Sequence, residues 1–393
     1  MAVTLSWSLA QLLQLLQVDR YISMPPSSVK LWPRQSQSFD TLKSQWQNPN
    51  NALSILTIIG GDVVQRAIAQ LAGSGPFFFT PVAFSFGWVA YSFSVLLSAI
   101  GEGRLMPPSD CPSIVVNAKS GYSRTNNSWP LGRLLRDHWS PHYHNPRGLT
   151  VSIYSVSKSK PAGVPDKDWV YYSGVGTIIA QIIISVLPAV LNQNWLVFMI
   201  TTCGIFLVLV NGALPQWRAE KWAARRVEKR EVICLTRGNG SSSVIVIVSD
   251  GTGIRLEDLA TARVERTRFT IIMTFILATL WIVHLFIVQA VVADAWYLLA
   301  IGGLGMIQNL IAAGAPRSAA ALGFHLEGLH DVHSDKVFSA LVEAEALERG
   351  IALSLIPVFF PGGLRAEETA WLNAKTAEYA KLDAADRAQK VQS

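Results

Sequence analysis

Within IGGDVVQRAIAQ, Asp62, Arg66 and Gln70 recur at intervals of four residues, which sets an acid, a base and an amide along one side of a helix inside an apolar run. An ionised side chain isolated at the centre of a bilayer costs about 2.5–3.5 kcal/mol on insertion scales, so such groups face a partner or a water-filled path. Three readings fit the spacing: an i,i+4 ion pair that neutralises itself and locks its helix to neighbours, the lining of a substrate or ion pathway, or a run that is not a span at all. The structural role is the stronger expectation, because no second intramembrane carboxylate is present to complete a proton relay. His284 is the other candidate for lining a polar cavity. With Gln181, Gln289 and Asn309 it is equally the kind of side chain that bridges helices by hydrogen bonds.

Two histidine clusters could ligate a metal: His138, His142 and His144 in HWSPHYH, and His325, His330, Asp331 and His333 in HLEGLHDVHSD. Neither has the H-E-x-x-H spacing of a metallohydrolase helix and Pro141 interrupts the first, so exposed loop histidines are expected and no metal or cofactor is assigned. VIVIVSDGTG resembles the nucleophile loop of haloacid-dehalogenase-type phosphatases, which needs an aspartate two residues before Asp-Gly-Thr. Val248 stands there, and a plain turn after a strand is expected. RGNGSSS lacks the Gly-Lys-Ser/Thr ending of a phosphate loop. No catalytic residue is assigned, although the loop residues Glu102 and Arg104 and the histidines are where an enzyme would place its site. Cys111, Cys203 and Cys234 are an odd set without metal spacing and predict no disulfide framework.

These side chains sit on or between strongly apolar segments. Of 393 residues, 50% are hydrophobic and only 15% charged, with a mean hydropathy of +0.30, which argues against an ordinary soluble protein at about 25% charged. Three pairs of runs stand out: Asn51–Ala72 with Phe77–Ile100, Trp169–Leu191 with Trp195–Gly212, and Phe269–Val291 with Trp296–Gly314. As helices they match a hydrocarbon core about 30 Å thick. The turns within the pairs carry no Lys or Arg, whereas residues 101–168 carry nine and 214–268 eleven. The expectation is a mainly α, polytopic membrane protein with six transmembrane helices in three hairpins, its long loops and both termini cytosolic by the positive-inside rule.

The domain order follows: an N-terminal interfacial helix and polar linker (1–50), hairpin 1 (51–100), a cytosolic loop (101–168), hairpin 2 (169–213), a basic cytosolic loop with a β-hairpin (214–268), hairpin 3 (269–314) and a cytosolic helical tail (315–393). Ala2–Val18 carries Gln11, Gln14 and Gln17 on one stripe and lacks both a basic leader and a cleavage site, so an interfacial helix is expected rather than a cleaved signal peptide. SIVVNA, LTVSIYSV and the two runs around RGNGSSS predict strands of a small cytosolic β-containing subdomain. Asp335–Arg349 predicts an amphipathic helix burying Val337, Phe338, Leu341, Val342 and Ala346. IALSLIPVFF is too short to cross and is expected as a buried strand or interfacial loop, with a charged helix from Arg365 closing the chain. Asn126 and Asn239 fit the glycosylation pattern but fall on the expected cytosolic side.

The net charge of +6 and pI near 9.2 put basic residues beside membrane segments, the pattern of a chain that partners the bilayer, anionic lipid and cytosolic proteins rather than nucleic acid. WRAEKWAARRVEKRE, anchored by Trp217 and Trp222, is the clearest headgroup-level stretch.

The segments NPNNALSILTIIGGDVVQRAIAQLAG, TPVAFSFGWVAYSF, GEGRLMPPSDCPSIVV, SGYSRTNNSWPLGRLLRD, GALPQWRAEKWAARR, LTRGNGSSSVIVIV and WYLLAIGGLGMIQN together resemble a group of filamentous-fungal multi-spanning membrane proteins. The resemblance covers roughly residues 48–365 and implies membrane residence and a fungal source, with no catalytic set to carry over. By context it suggests an accessory role near secondary-metabolite biosynthesis. Three functions are therefore weighed: a membrane scaffold or accessory protein, a membrane-bound enzyme acting on a lipophilic terpenoid or polyketide, and a small-molecule transporter. The lack of an inverted repeat and of broken helices counts against the last.

Overall fold

The structure is a computed structural model that describes residues 60–73, 79–101, 104–138, 147–264, 267–291 and 293–392. The expected interfacial helix, the polar linker and residues 51–59 of the first expected span lie outside the described residues. The chain is mainly helical, with a six-stranded sheet.

Three helices are long and apolar enough to cross a membrane: α4 (Trp169–Asn192), α8 (Arg268–Gln289) and α9 (Ala295–Gly314). A fourth arises if α5 (Leu196–Gly212) and α6 (Pro215–Lys221), bent by 41° at Pro215, are one span. Their starts are written in the sequence. The Asp168 side chain accepts from Tyr171 N to cap α4, and Thr267 does the same for Thr270 N at α8. Outward faces of these helices are apolar: Ile183, Val190, Phe206, Phe275 and Phe286 are each 60–71% exposed. A girdle of that kind on a soluble surface would be an aggregation site; against lipid tails it is the matching solvent.

The first expected hairpin takes a different form. Its described first part is an eleven-residue helix, α1 (Gly61–Leu71), and Phe77–Ile100, expected as one span, is non-helical from Phe79 to Gly87 and becomes helix α2 only at Trp88–Gly101. Pro81 removes a backbone donor, and the Thr, Ser and Gly of TPVAFSFG weaken helix further, which is why the run does not close into a helix despite its apolarity. The third expected hairpin also opens out. α8 packs on α2 and α5, whereas α9 packs on α1 and α4, so consecutive helices lie in different parts of the bundle. Going round, α1, α9, α4, α5, α8 and α2 each touch the next, and α2 returns to α1.

The sheet is larger than the expected subdomain. It comprises β1 (Ile114–Asn117), β2 (Ser123–Thr125), β3 (Leu149–Val156), β4 (Arg230–Thr236), β5 (Ser243–Asp250) and β6 (Leu326–Ser334) in the order β2-β1-β4-β5-β3-β6. All neighbours are antiparallel except β3 and β5, whose register sets Ile153 beside Val246. The Val- and Ile-rich β5 is buried on both faces, as a central strand must be. β6 comes from HLEGLHDVHS, read in the sequence as a histidine loop; its polar residues fit because it is an edge strand.

Helices cover both faces. One face holds α3 (Trp129–Asp137), α7 (Leu256–Thr261) and the short α10 (Ala319–Leu322) against Ile233, Leu235, Ile245 and Ile247. The other holds α11 (Val337–Leu347) and α12 (Ile351–Phe359) against Val151, Ile153, Val246 and Val248. IALSLIPVFF is thus helix α12 rather than a strand or interfacial loop. Glu345 carboxylate oxygens accept from Gly350 N and Ala352 N at 2.6 Å each, which satisfies its first turn, and Pro357 falls near its end. On α11 the buried stripe is Ala340, Leu341, Ala344 and Glu345, so Ala346, expected inside, is exposed. The charged α13 (Ala366–Gln392) follows, with Trp371 edge-on to Phe338 and the Tyr379 hydroxyl donating to Glu345 at 2.6 Å.

Candidate functional site in the helical bundle

Residues 80–88 are all buried, and the non-helical stretch runs up the middle of the ring from the end that carries the sheet. Thr80 Oγ1 donates to Gly212 O at 3.0 Å, at the last residue of α5. Pro81 lies against Gly174 of α4, Ala83 against Asn309 of α9, Phe84 against Gly305 of α9 and Gly204 of α5, and Phe86 against Gly302. Each contact is further from the sheet than the last. α2 then turns back, and the chain after it returns to the sheet end, where Leu105 N and Met106 N donate to Glu220 at 2.7–2.9 Å. Residues 79–101 therefore enter and leave at the same end of the bundle.

Backbone threaded through an apolar bundle must find partners. Asn309 supplies two, with Oδ1 accepting from Ala83 N at 3.1 Å and Nδ2 donating to Ala83 O at 3.0 Å. Gln181 Nε2 donates to Phe84 O at 2.6 Å and to Ile301 O at 2.9 Å, and Trp88 Nε1 donates to Ala83 O at 3.0 Å. The expected bridging role of Gln181 and Asn309 is thus met, but the partner is the extended segment as much as another helix. Gly305 and Gly174 are required by proximity: a Cβ on either would collide with a carbonyl oxygen, of Phe84 and Pro81 respectively.

His284 stands in the same place. Its ring meets Phe84 and Trp281 edge-on at 5.5 Å each, and Trp281 stacks on Trp88 at 5.5 Å. His284 Nε2, Trp281 Nε1, Gln181 Oε1 and Thr201 Oγ1 are buried without a hydrogen-bond partner. All four side chains belong to residues that touch Phe84 or lie within one helical turn of one that does. The centre of the bundle is a plug of protein with polar atoms at its edge.

Asp62, Arg66 and Gln70 do not act together. Asp62 and Arg66 are exposed, and among the described residues they form no ion pair with each other. Four residues are 40° more than one turn, so Gln70 is rotated by about 80° from Asp62 and turns into the protein. There it is wholly buried, and its carbonyl at the end of α1 accepts from Lys221 Nζ at 3.0 Å and Arg317 Nη1 at 2.8 Å. Lys221 also reaches Ala72 O at 3.0 Å. The last carbonyls of α9 are met likewise, with Arg133 Nη2 on Ala313 O at 2.6 Å and Arg136 Nη2 on Gly314 O at 3.2 Å. Cations at two helix C-termini answer the partial negative charge there. Arg133 is buried beside Asp110 and over the Trp129 ring; burial pulls its pKa down to about 10, leaving it charged at neutral pH. These four bases are scattered among 33 Lys and Arg in the sequence, and only the placement of helix ends distinguishes them.

The histidine clusters meet only in part. His138 Nε2 lies 3.4 Å from Ser152 Oγ, and Ser152 pairs across β3 and β6 with Asp331. Burial depresses the His138 pKa, partly offset by Asp331, so the ring is neutral at pH 7. His325 bonds Val164 O and His333 bonds Thr150 Oγ1, both structural uses. His142, His144 and Glu102 lie outside the described residues. Among the described residues no three His, Cys, Asp or Glu side chains converge as a metal site. Asp250 is exposed at the end of β5 and pairs with Arg230 at 3.4 Å, a strand-end role. The Asn126 side chain is buried in hydrogen bonds to Ser113 and Ser128, so its sequon is used for folding.

No protein-family model, no curated protein and no solved structure matches this chain.

Proposed function

We propose that this chain is a multi-pass membrane scaffold that holds its sheet domain against the cytosolic surface for partners to dock. The bundle then crosses the bilayer with α4, α5, α8 and α9, while residues 79–101 enter from the cytosolic side and return to it. The observation that carries this reading is the occupied bundle centre: where a pathway would run, the chain's own backbone is buried and held by Asn309 and Gln181. The cation caps at the ends of α1 and α9 support it, since they bind domain to bundle rigidly. The basic loops support the cytosolic side. Placement near secondary-metabolite biosynthesis rests on the fungal resemblance alone.

The re-entrant segment and the unpartnered polar atoms around Phe84 favour a second reading, a gated small-molecule pathway in which that segment moves. Two measurements separate them. Proteoliposomes carrying the protein should show no more proton or solute flux than protein-free vesicles; a leak would transfer the function to transport. Comparison of membrane fractions from deleted and complemented strains should find soluble proteins that leave the membrane on deletion and return on complementation; an unchanged set would remove the scaffold role. Topology is read by maleimide labelling of single cysteines at Gln193 and Lys119, which should fall on opposite sides. Cys234, buried with its thiol pushed up to about 12, will not compete for reagent.

A further inference from the structure

We propose that a recess between α6 and α7 binds the headgroup of an anionic glycerophospholipid, an inference that rests on the membrane placement above. The recess, a shallow open depression of about 410 Å³, is lined by Ala219, Ala223 and Ala224 together with Arg225, Asp258 and Arg263. Arg225 is fixed by a two-pronged pair with Asp258, Nε to Oδ2 at 2.8 Å and Nη2 to Oδ1 at 3.1 Å, which balances its charge while Nη1 makes neither bond. The uncompensated charge comes from Arg263. Arg218, one residue before the recess, and Arg268, at the start of α8, add to it. All three are exposed, and among the described residues none forms an ion pair.

Location selects the ligand. α6 follows directly from α5, and Val264 of the recess lies four residues before α8, so the site opens where two neighbouring apolar helices meet the sheet domain. In the first turns of α8, Phe269 and Ile272 are 56% and 58% exposed. A headgroup in the recess would place acyl chains along that apolar strip, while guanidinium groups match phosphate oxygens in geometry and charge. The small alanine side chains of the lining leave room for the phosphodiester, and charge complementarity favours phosphatidylserine- or phosphoinositide-like lipid over zwitterionic lipid.

The test uses the full chain in nanodiscs of mixed phosphatidylcholine and phosphatidylserine, with retained lipid counted by native mass spectrometry. Wild type should retain phosphatidylserine preferentially. Arg263→Gln should weaken retention about five-fold, and the triple variant Arg218→Gln, Arg263→Gln, Arg268→Gln should abolish the preference. These side chains are exposed, so size-exclusion profiles should match wild type. Lys336→Gln, at the residue that precedes α11 over the opposite sheet face, should retain lipid normally. No preference in wild type, or full preference in the triple variant, overturns the proposal. Displacement by glycerophosphoserine at the same concentration as lipid would assign the recess to a free phosphoanion instead. Failure of the membrane placement shows separately, as release of the protein by carbonate extraction.

Discussion

Arg317 grips Asp168 with two prongs, Nε to Oδ2 at 2.7 Å and Nη2 to Oδ1 at 2.9 Å, while its third nitrogen reaches the Gln70 carbonyl. Asp168 simultaneously caps α4. One guanidinium thus ties the start of α4, the end of α1 and the chain just beyond α9, and its side chain is fully buried. Arg317→Ala leaves a carboxylate without its partner and is expected to cost about 3–5 kcal/mol. Arg317→Lys cannot reproduce the fork and should recover only part of that loss. Thermal unfolding in detergent, followed by near-ultraviolet circular dichroism, measures both.

Two glycines on one helix should behave oppositely. Gly305→Ala drives a methyl into the Phe84 carbonyl and is expected to destabilise by about 1–3 kcal/mol, whereas Gly303→Ala meets open space and should stabilise by up to about 1 kcal/mol through helix propensity. Equal effects in fluorescence-detected melting would mean that residues 79–87 do not occupy the bundle centre.

Asn309→Ala strands the N–H of Ala83 and leaves its carbonyl to Trp88 Nε1 alone. The expected loss is about 1–3 kcal/mol, with faster hydrogen exchange confined to residues 80–87. Exchange unchanged there, with stability lost, would assign Asn309 to helix packing alone.

Asp62→Ala, in contrast, should change stability by no more than about 0.5 kcal/mol, since Asp62 is exposed and unpaired among the described residues. A large loss would show that Asp62 has a partner after all.

His138 titrates below the ordinary 6.5 in the folded protein because burial disfavours its charge. Between its folded and unfolded values the unfolded chain binds the extra proton, so its contribution to stability is present above about pH 6.5 and declines as pH falls below it. His138→Gln should flatten that part of the melting-temperature profile between pH 7.5 and 5.5; an identical slope in the variant would contradict the burial argument.

Much of this fold is legible in the residues. The bounds of α4, α8 and α9 follow from uncharged apolar length, and β1, β3, β4 and β5 from their Val- and Ile-rich runs. Three segments resist for physical reasons. TPVAFSFGWVAYSF has the same hydropathy whether helical or extended, and only tertiary partners at Asn309, Gln181 and Gly305 decide the matter. IALSLIPVFF is apolar all round, so it offers neither a period of 3.6 nor of 2. β6 is an exposed edge strand whose histidines and acids hide its pairing. The candidate site was legible in part: His284, Gln181 and Asn309 line the bundle centre, while Asp62 and Arg66 attracted notice by charge although the helix turns them outward.

The parallel pairing of β3 with β5 has a consequence for how the chain is made. The α4–α5 segment lies between those two strands in sequence, and α8 and α9 separate β5 from β6, so every hydrogen-bonding neighbour of β3 is synthesised after a bundle segment has left the ribosome. On the membrane placement proposed above, a single helix that failed to cross would leave β5 or β6 on the opposite side of the bilayer from β3. On that placement, closure of the sheet requires each of these helices to have crossed, and β6, last in the chain, depends on all of them.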